Sequence, residues 1–293
     1  MKQLQQLMHD ICLSGQRRET RSGVVHSVFR REFTHDMRTG FPATTGKKLA
    51  FKAMVGEGLW FTNGDTCLSS LRHYSNLSAD AWTIWSNDCA RWHSIPRFYD
   101  NGNVVPKDDL GALYGDQWRD YGGTESEEGV DQLQNLIDKM KDDPNSRYMI
   151  VQAYNPSDVN SDAAALPPCH TGFQVYVDRE TGEFDLDWTQ RSVDVFLGLS
   201  FNIASYAWLM CVLGSITGLT PRFLYGSLKD THIYDAHMEG VTEYLSRTIG
   251  DDVCHLVMPK IDNLYDLGGL TAADFSLSNY NPQGAIKAPL SVG

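Results

Sequence analysis

An α+β domain, a mixed β-sheet covered by helices, is the fold class that this 293-residue sequence predicts. Three observations carry the expectation. Alternating apolar and polar runs mark strands in the second half of the chain. Amphipathic helical repeats lie near both ends and in the middle. The joints between these segments include hairpin-length connections, unlike the regular strand–helix alternation of a doubly wound sheet. No internal repeat, low-complexity tract or Pro/Ser-rich linker divides residues 1–293, so they read as a single domain.

The elements follow in order. "MKQLQQLMHDICLSG" places Leu4, Leu7, Met8, Ile11 and Cys12 at helical spacing, which predicts an amphipathic first helix rather than a signal peptide. "TRSGVVHSVFRREF" is a glycine turn leading into a β-branched strand, and "KKLAFKAMVGEGLWF" reads as a helix. Residues 86–111 are polar and broken by Pro96, Pro106 and Asn101-Gly102, which predicts a long surface excursion with a hairpin at its tip. "VDQLQNLIDKMKDD" is a further amphipathic helix stopped at Pro144.

Three strands are expected next, in "SRYMIVQAYN", "CHTGFQVYVD" and "EFDLDWTQRS". In the last, Phe184, Leu186 and Trp188 alternate with Asp185, Asp187 and Thr189, so one face is wet. "FNIASYAWLMCVLGSITG" is apolar nearly all round and predicts a buried central helix ending at Gly214 or Gly218. "PRFLYGSLKDTHIY" returns to strand and "DAHMEGVTEYLSR" to helix.

Composition narrows the function. Hydrophobic residues make up 42%, enough for a substantial core. A membrane span is not expected, because no apolar run approaches the roughly 20 residues required. The net charge of −12 argues against non-specific nucleic-acid binding, which needs a basic face. Six cysteines without paired spacing point to reduced thiols and a cytoplasmic location.

Three stretches could carry chemistry. In "ALPPCHTGFQVYV" a single thiol, Cys169, follows Pro167-Pro168. A core cysteine needs no such stiff lead-in, whereas an attacking one does, and His170 and Arg191 could supply polar and positive surroundings. Neighbours on a strand point to opposite faces, so Cys169-His170 is not itself a hydrolase dyad. In "QRSVDVFLGLSFN", Arg191 and Ser192 suit a phosphate, through a planar fork of donors plus a hydroxyl. Asn202 is open to two readings there, a helix N-cap or an amide that reads the edge of a flat heterocycle. In "KDTHIYDAH", His232 and His237 would diverge by about 140° on a helix, which is wrong for a one-face zinc pair. On a strand, His232 and Tyr234 share a face and could hold a sugar.

Set side by side, these stretches resemble the thymidylate synthase family over almost the full length. The resemblance rests on "TRSG" at 20–23, "GFPATT" at 40–45, "GEGLWFTNGDT" at 56–66, "TIW" at 83–85 and "LYGDQWR" at 113–119. It continues through "DPNSR" at 143–147, "PPCH" at 167–170, "QRSVDVFLGLSFNIASYA" at 190–207, "DTHIY" at 230–234 and "AIKAP" at 285–289. Each motif is weak alone, but together and in the family's order they are specific.

The resemblance implies the family's fold, with sheets packed against each other in a homodimer. It also implies transfer of a one-carbon unit from 5,10-methylenetetrahydrofolate to C5 of a pyrimidine deoxynucleoside monophosphate, with no metal, no membrane and no nucleic acid required. Reductive methylation of dUMP to dTMP is the expected reaction. The alternative is a hydroxymethylase acting on dUMP or dCMP, in which water adds instead of hydride. A catalytically silent relative that only binds is the third reading, and the intact residue set argues against it.

Carried over residue by residue, Cys169 is the implied nucleophile. Glu57 organises proton transfers, Tyr114 and its waters assist loss of the C5 proton, and Asn202 and Asp194 complete the catalytic set. Arg21, Gln190, Arg191 and Ser192 serve nucleotide binding, with Arg147 donated across the dimer interface. His170 helps orient Asn202, and His232 and Tyr234 take the sugar hydroxyl. Ile84, Trp85, Leu166, Leu197, Gly198 and Phe201 form the folate wall, and residues 290–293 a closing lid.

The chain departs from the family pattern in five places. Tyr148 follows Arg147 where two arginines are usual, and "RSGVVHS" lacks a second glycine. Lys229 replaces a glycine before "DTH" and is expected to add charge near the nucleotide. Thr171-Gly172 stands where bulkier residues are usual, and "LSVG" ends the chain.

Overall fold

The computed structural model describes residues 2–99, 101–124, 126–250 and 253–290. The first elements are helix α1 (Lys2–Ser14), strands β1 (Gln16–Thr20) and β2 (Gly23–Asp36), and helices α2 (Phe51–Thr62) and α3 (Leu68–Tyr74). Helices α4 (Ser86–Trp92), α5 (Tyr114–Arg119) and α6 (Gln132–Asp142) come next, then strand β3 (Ile150–Gln152) and helix α7 (Pro156–Ser161). Strands β4 (His170–Asp178) and β5 (Glu183–Asp194) lead into helix α8 (Leu199–Thr217), strand β6 (Thr220–Tyr234) and helix α9 (Met238–Ser246). Two short strands, β7 (His255–Val257) and β8 (Ser276–Ser278), pair near the end.

Six strands form one mixed sheet in the order β1-β2-β6-β5-β4-β3. Only β5 and β6 run parallel, because α8 crosses between them, and the other neighbours are antiparallel. One face of this sheet is covered by α8, which also packs on α2 and α6. Phe184, Leu186 and Trp188 of β5 point to that covered face and are fully buried. Asp185, Asp187 and Thr189 lie on the other face, half-buried. Tyr176 and Tyr225, which pair with Asp185 and Asp187, are exposed on that same open face.

The central helix runs from Leu199 to Thr217, two residues earlier than the sequence suggests, and Gly218 rather than Gly214 caps its C-terminus. At 19 residues it is long and apolar enough to cross a membrane, contrary to the expectation that no run comes close. Its most apolar window is 72% buried inside the fold, which identifies it as a core helix. Helix α2 begins at Phe51 and is enclosed from Met54 to Thr62, so it too lacks a wet face.

Other differences are local. Cys12 is exposed, so the apolar stripe of α1 is made by Leu4, Met8 and Ile11. In "SRYMIVQAYN" only Ile150–Gln152 pairs, at the end of the sheet. Segment 86–111 has Phe98 and Val104 bridged across the Asn101-Gly102 turn. Yet it also starts with a helix, and Cys89, Trp92, Val105 and Leu110 are buried, so it is anchored in the core rather than lying on the surface. Gly172 has a steric reason: a Cβ there would sit 2.5 Å from the Val151 carbonyl oxygen, where β3 crosses the bulge in β4.

Candidate active site

Cys169 stands just before β4, and two neighbours, Arg191 and Tyr114, hold its backbone. The Arg191 guanidinium donates from Nε to the Pro168 carbonyl and from Nη2 to the Pro167 carbonyl, both at 2.8 Å. The Arg191 backbone N–H donates to the Cys169 carbonyl, also at 2.8 Å. The Tyr114 hydroxyl accepts the Cys169 backbone N–H at 2.8 Å and that of His170 at 3.3 Å. The two prolines therefore present rigid carbonyls to one planar cation, and the thiol is held at the end of that clasp. Burial pushes the thiol pKa up, the Arg191 charge pulls it down, and Asp88 adds to the rise.

Around the thiol lie groups from four other elements. Glu57, on α2, is only 8% exposed, and its Oε1 accepts the Trp85 indole N–H at 2.7 Å. Burial raises its carboxyl to about 7, against the lowering effect of the Trp85 bond. His170 is pushed down to about 4 by burial and stays neutral, with a bond to Asn202 acting the other way. Its Nδ1 lies 3.3 Å from the Tyr206 hydroxyl. Glu57, His170, Tyr206 and Trp118 line one small shared cavity. Burial also drives the Tyr114 phenol well above its ordinary range, and nearby Cys169 adds to the rise.

Asn202 lies within the first turns of α8, where Gly198 is the N-cap, so the capping reading is overturned. Its Oδ1 accepts from Gln190 Nε2 at 3.1 Å. Gln190 also donates to the Ser192 carbonyl at 3.0 Å and accepts the Trp188 indole N–H at 3.2 Å. Ser192 itself is half-buried beside them on β5. Asp194 ends β5, and its Oδ1 accepts the backbone N–H groups of Phe196 and Leu197, each at 3.0 Å.

His232 and Tyr234 share a face of β6, with ring centroids 5.2 Å apart. The Asp230 carbonyl can only accept, so His232 donates to it from Nδ1 at 3.1 Å, leaving Nε2 outside that bond. The Tyr234 phenol is raised by burial and by the charges of Asp194, Cys169 and Asp230, while a bond to Ser22 lowers it. Arg21 is exposed and lines a polar cleft with Pro167, Arg91 and Arg97.

Leu166, Leu197 and Phe201 are partly buried against the core, and Gly198 is half-buried beside them. Trp85 is buried among Trp60, Phe61 and Tyr114, whereas Ile84 is 51% exposed. Arg147 is exposed in the turn before β3, beside a Tyr148 that is 80% exposed. Lys229 lies close enough to Asp187 of the open sheet face for its charge to lower that carboxyl's pKa. Of the expected lid, residues 291–293 lie outside the described residues. Among the described residues no group of three or more His, Cys, Asp or Glu is placed to hold a metal ion.

Sequence reasoning missed four side chains. Lys47 is buried, bonds to the Phe196 carbonyl and lies over the Phe196 ring; burial lowers it to about 8 while Asp194 pulls it up. His237, fully buried, bonds from Nε2 to the Pro289 carbonyl at 2.8 Å and sets Nδ1 3.8 Å from Asp194. Tyr206 lies inside a quoted motif, but no local pattern singles it out. Trp188 reads only as an inward-facing core residue.

The whole chain has relatives with the same organisation. Residues 2–292 match the thymidylate synthase family. A protein of Escherichia phage T5, described as a probable thymidylate synthase, is 44% identical, covering 99% of this chain and 100% of that one. The thymidylate synthase of Enterobacteria phage T4 is 38% identical, with both chains fully covered. The crystal structure of thymidylate synthase from T4 phage superimposes with a TM-score of 0.87 over the full length of both. With its fold, its motif order and its full-length relatives in agreement, this chain belongs to the thymidylate synthase family.

Proposed function

We propose that this chain methylates C5 of dUMP to give dTMP, using 5,10-methylenetetrahydrofolate and working as a single-domain subunit of a homodimer. The observation that carries the reading is the clasped thiol: Arg191 holds both proline carbonyls and the Cys169 carbonyl, beside a neutral His170 and a buried Glu57. Phage relatives named thymidylate synthase, 38–44% identical over the full length, support the methyl product.

The residues present fit both substrates. Arg21 and Arg191 suit the phosphate, with Ser192 adding a hydroxyl, and His232 Nε2 and Tyr234 suit the sugar hydroxyl. Leu166, Leu197 and Phe201 supply an apolar wall for the flat folate, with Ile84, Trp85 and Gly198 at its margin. When bound, the folate supplies the carbon unit and then the hydride.

Cys169 Sγ adds to C6 of the ring, which makes C5 an enolate-like carbon able to accept the new bond. Glu57, with its carboxyl at about 7, both gives and takes a proton near neutral pH. The Tyr114 oxygen is engaged by two backbone N–H groups, so its own hydrogen is free to orient a water near C5. Asp194 is held by two backbone N–H groups next to the wall. Arg147 reaches the phosphate of the partner subunit's site, and Tyr148 contributes a hydroxyl where an arginine is usual.

The open sheet face, with Tyr176 62% exposed, is the surface we assign to the dimer. Mass spectrometry of the nucleotide after incubation with dUMP and methylenetetrahydrofolate tests the reading. A methylated nucleotide with dihydrofolate supports it. A hydroxymethyl product, or activity that survives Cys169→Ser, overturns it.

A further inference from the structure

We infer that Trp188 is a positioning residue that strengthens the site's choice of pyrimidine, by helping to fix the polarity of the Gln190 and Asn202 amides. The inference rests on the reading of Asn202 as the group facing the base edge. An amide side chain can turn over and exchange its oxygen for its nitrogen, so its donor and acceptor ends are known only from its neighbours. Here the neighbours leave no choice. An indole N–H can only donate, so the Trp188 N–H at 3.2 Å demands the Gln190 oxygen. A carbonyl can only accept, so Ser192 at 3.0 Å demands the Gln190 nitrogen.

With Gln190 fixed, its second N–H meets Asn202 at 3.1 Å and demands the Asn202 oxygen. His170 also bonds to this amide, in the sense that favours a donated N–H and so keeps the oxygen turned the same way. The Asn202 oxygen and NH₂ then face the ring as acceptor and donor. This pattern matches uracil, which offers an N3–H donor and an O4 acceptor. Cytosine offers an N3 acceptor and an N4 amino donor, and would need Asn202 reversed. Reversal sets Asn202 NH₂ against Gln190 NH₂, and undoing that clash means turning Gln190 against both Trp188 and Ser192.

The backbone makes the relay rigid. Trp188 and Gln190 are two apart on β5 and so share a face. The Trp188 ring is fully buried, stacked on Tyr206 with centroids 5.1 Å apart and planes 11° apart. It lies over Gly226, where a Cβ would come within 2.5 Å of the ring. The glycine on β6 thus leaves room for an indole in this position, and its N–H cannot swing elsewhere. Since Ser192 still holds Gln190 when the indole is gone, losing Trp188 weakens the bias rather than erasing it.

The test measures dissociation constants for dUMP and dCMP by calorimetry on the intact protein. The variants are Trp188→Phe and, because that ring is smaller, Trp188 replaced by benzothienylalanine, which keeps the bicyclic shape and loses only the N–H. Wild type is expected to favour dUMP. The ratio is expected to fall about 3- to 10-fold in either variant, the effect of one neutral hydrogen bond. The dUMP turnover number of the benzothienylalanine protein is expected to stay within about threefold, separating recognition from chemistry.

An unchanged ratio in a folded benzothienylalanine protein overturns the relay while the base reading of Asn202 stands. Equal weakening of both nucleotides overturns it too, because that marks a structural role only. A wild type that favours dCMP, or binds neither nucleotide, overturns the base reading and the relay together.

Discussion

Replacing Trp85 with phenylalanine isolates the one bond that opposes burial at Glu57. The indole donates to Glu57 Oε1 at 2.7 Å, and the carboxyl stands at about 7 because burial exceeds that bond. Phenylalanine keeps most of the apolar wall and removes the donor. A hydrogen bond to a charged group is worth about 1.5–3 kcal/mol, which at 1.36 kcal/mol per unit moves the carboxyl up by about one to two units. A midpoint near 8.5 would cut the ionised fraction at pH 7.5 from about three quarters to about one tenth. Titration of carbon-13 carboxyl resonances in the free protein reads this directly, with Glu57→Gln used to assign the signal. The limb of the rate profile that needs ionised Glu57 is expected to move to higher pH in parallel. A midpoint at or below the wild-type value refutes the reasoning, because it means the indole does not stabilise the ionised form.

Three further outcomes are expected. Glu57→Gln removes a carboxyl whose folded pKa, about 7, lies above its ordinary value of 4.5. The raised group costs the fold progressively as pH climbs through that window, so the variant should match wild type at pH 4 and be more stable by about 3 kcal/mol at pH 8 in urea melts. Arg191→Gln removes the charge that lowers the Cys169 pKa, so alkylation of Cys169 by iodoacetamide, followed by peptide mass spectrometry, should shift to higher pH. Gly226→Ala drives a Cβ to 2.5 Å from the Trp188 ring and should lower stability by about 1–3 kcal/mol in the same melts.

The parts of the fold that were legible in the sequence are those whose burial follows a period. Helix α8 announces itself because it is enclosed on all sides, and β5 because one of its faces is sealed and the other is not. Segment 86–111 was misread because the residues that anchor it, Cys89, Trp92, Val105 and Leu110, are few and aperiodic among polar neighbours. The end of "SRYMIVQAYN" fell short of a strand because β3 has one partner, at the margin of the sheet. In the site, Cys169 stood out because two prolines mark it locally. The amide relay did not, because its polarity depends on α8 folding back over β5 to set Asn202 beside Gln190. Lys47 and His237 stayed hidden for the same reason: each finds its carbonyl, Phe196 or Pro289, far along the chain.

The pairing of β2 with β6 joins Val25 to Tyr234, so the sheet closes only after most of the chain is available. Loops of that length are costly to close before long-range contacts reward them, and such topologies fold slowly. A chain still emerging from the ribosome can form α1 and the β1–β2 hairpin, but it has no β6 to pair with and no Arg191 to clasp the prolines. In refolding from urea, helical signal should therefore return before Cys169 becomes protected from alkylation. The buried, clasped thiol comes into being as one of the last acts of folding, so Cys169 stays open to solvent in unfinished chains until the sheet has closed.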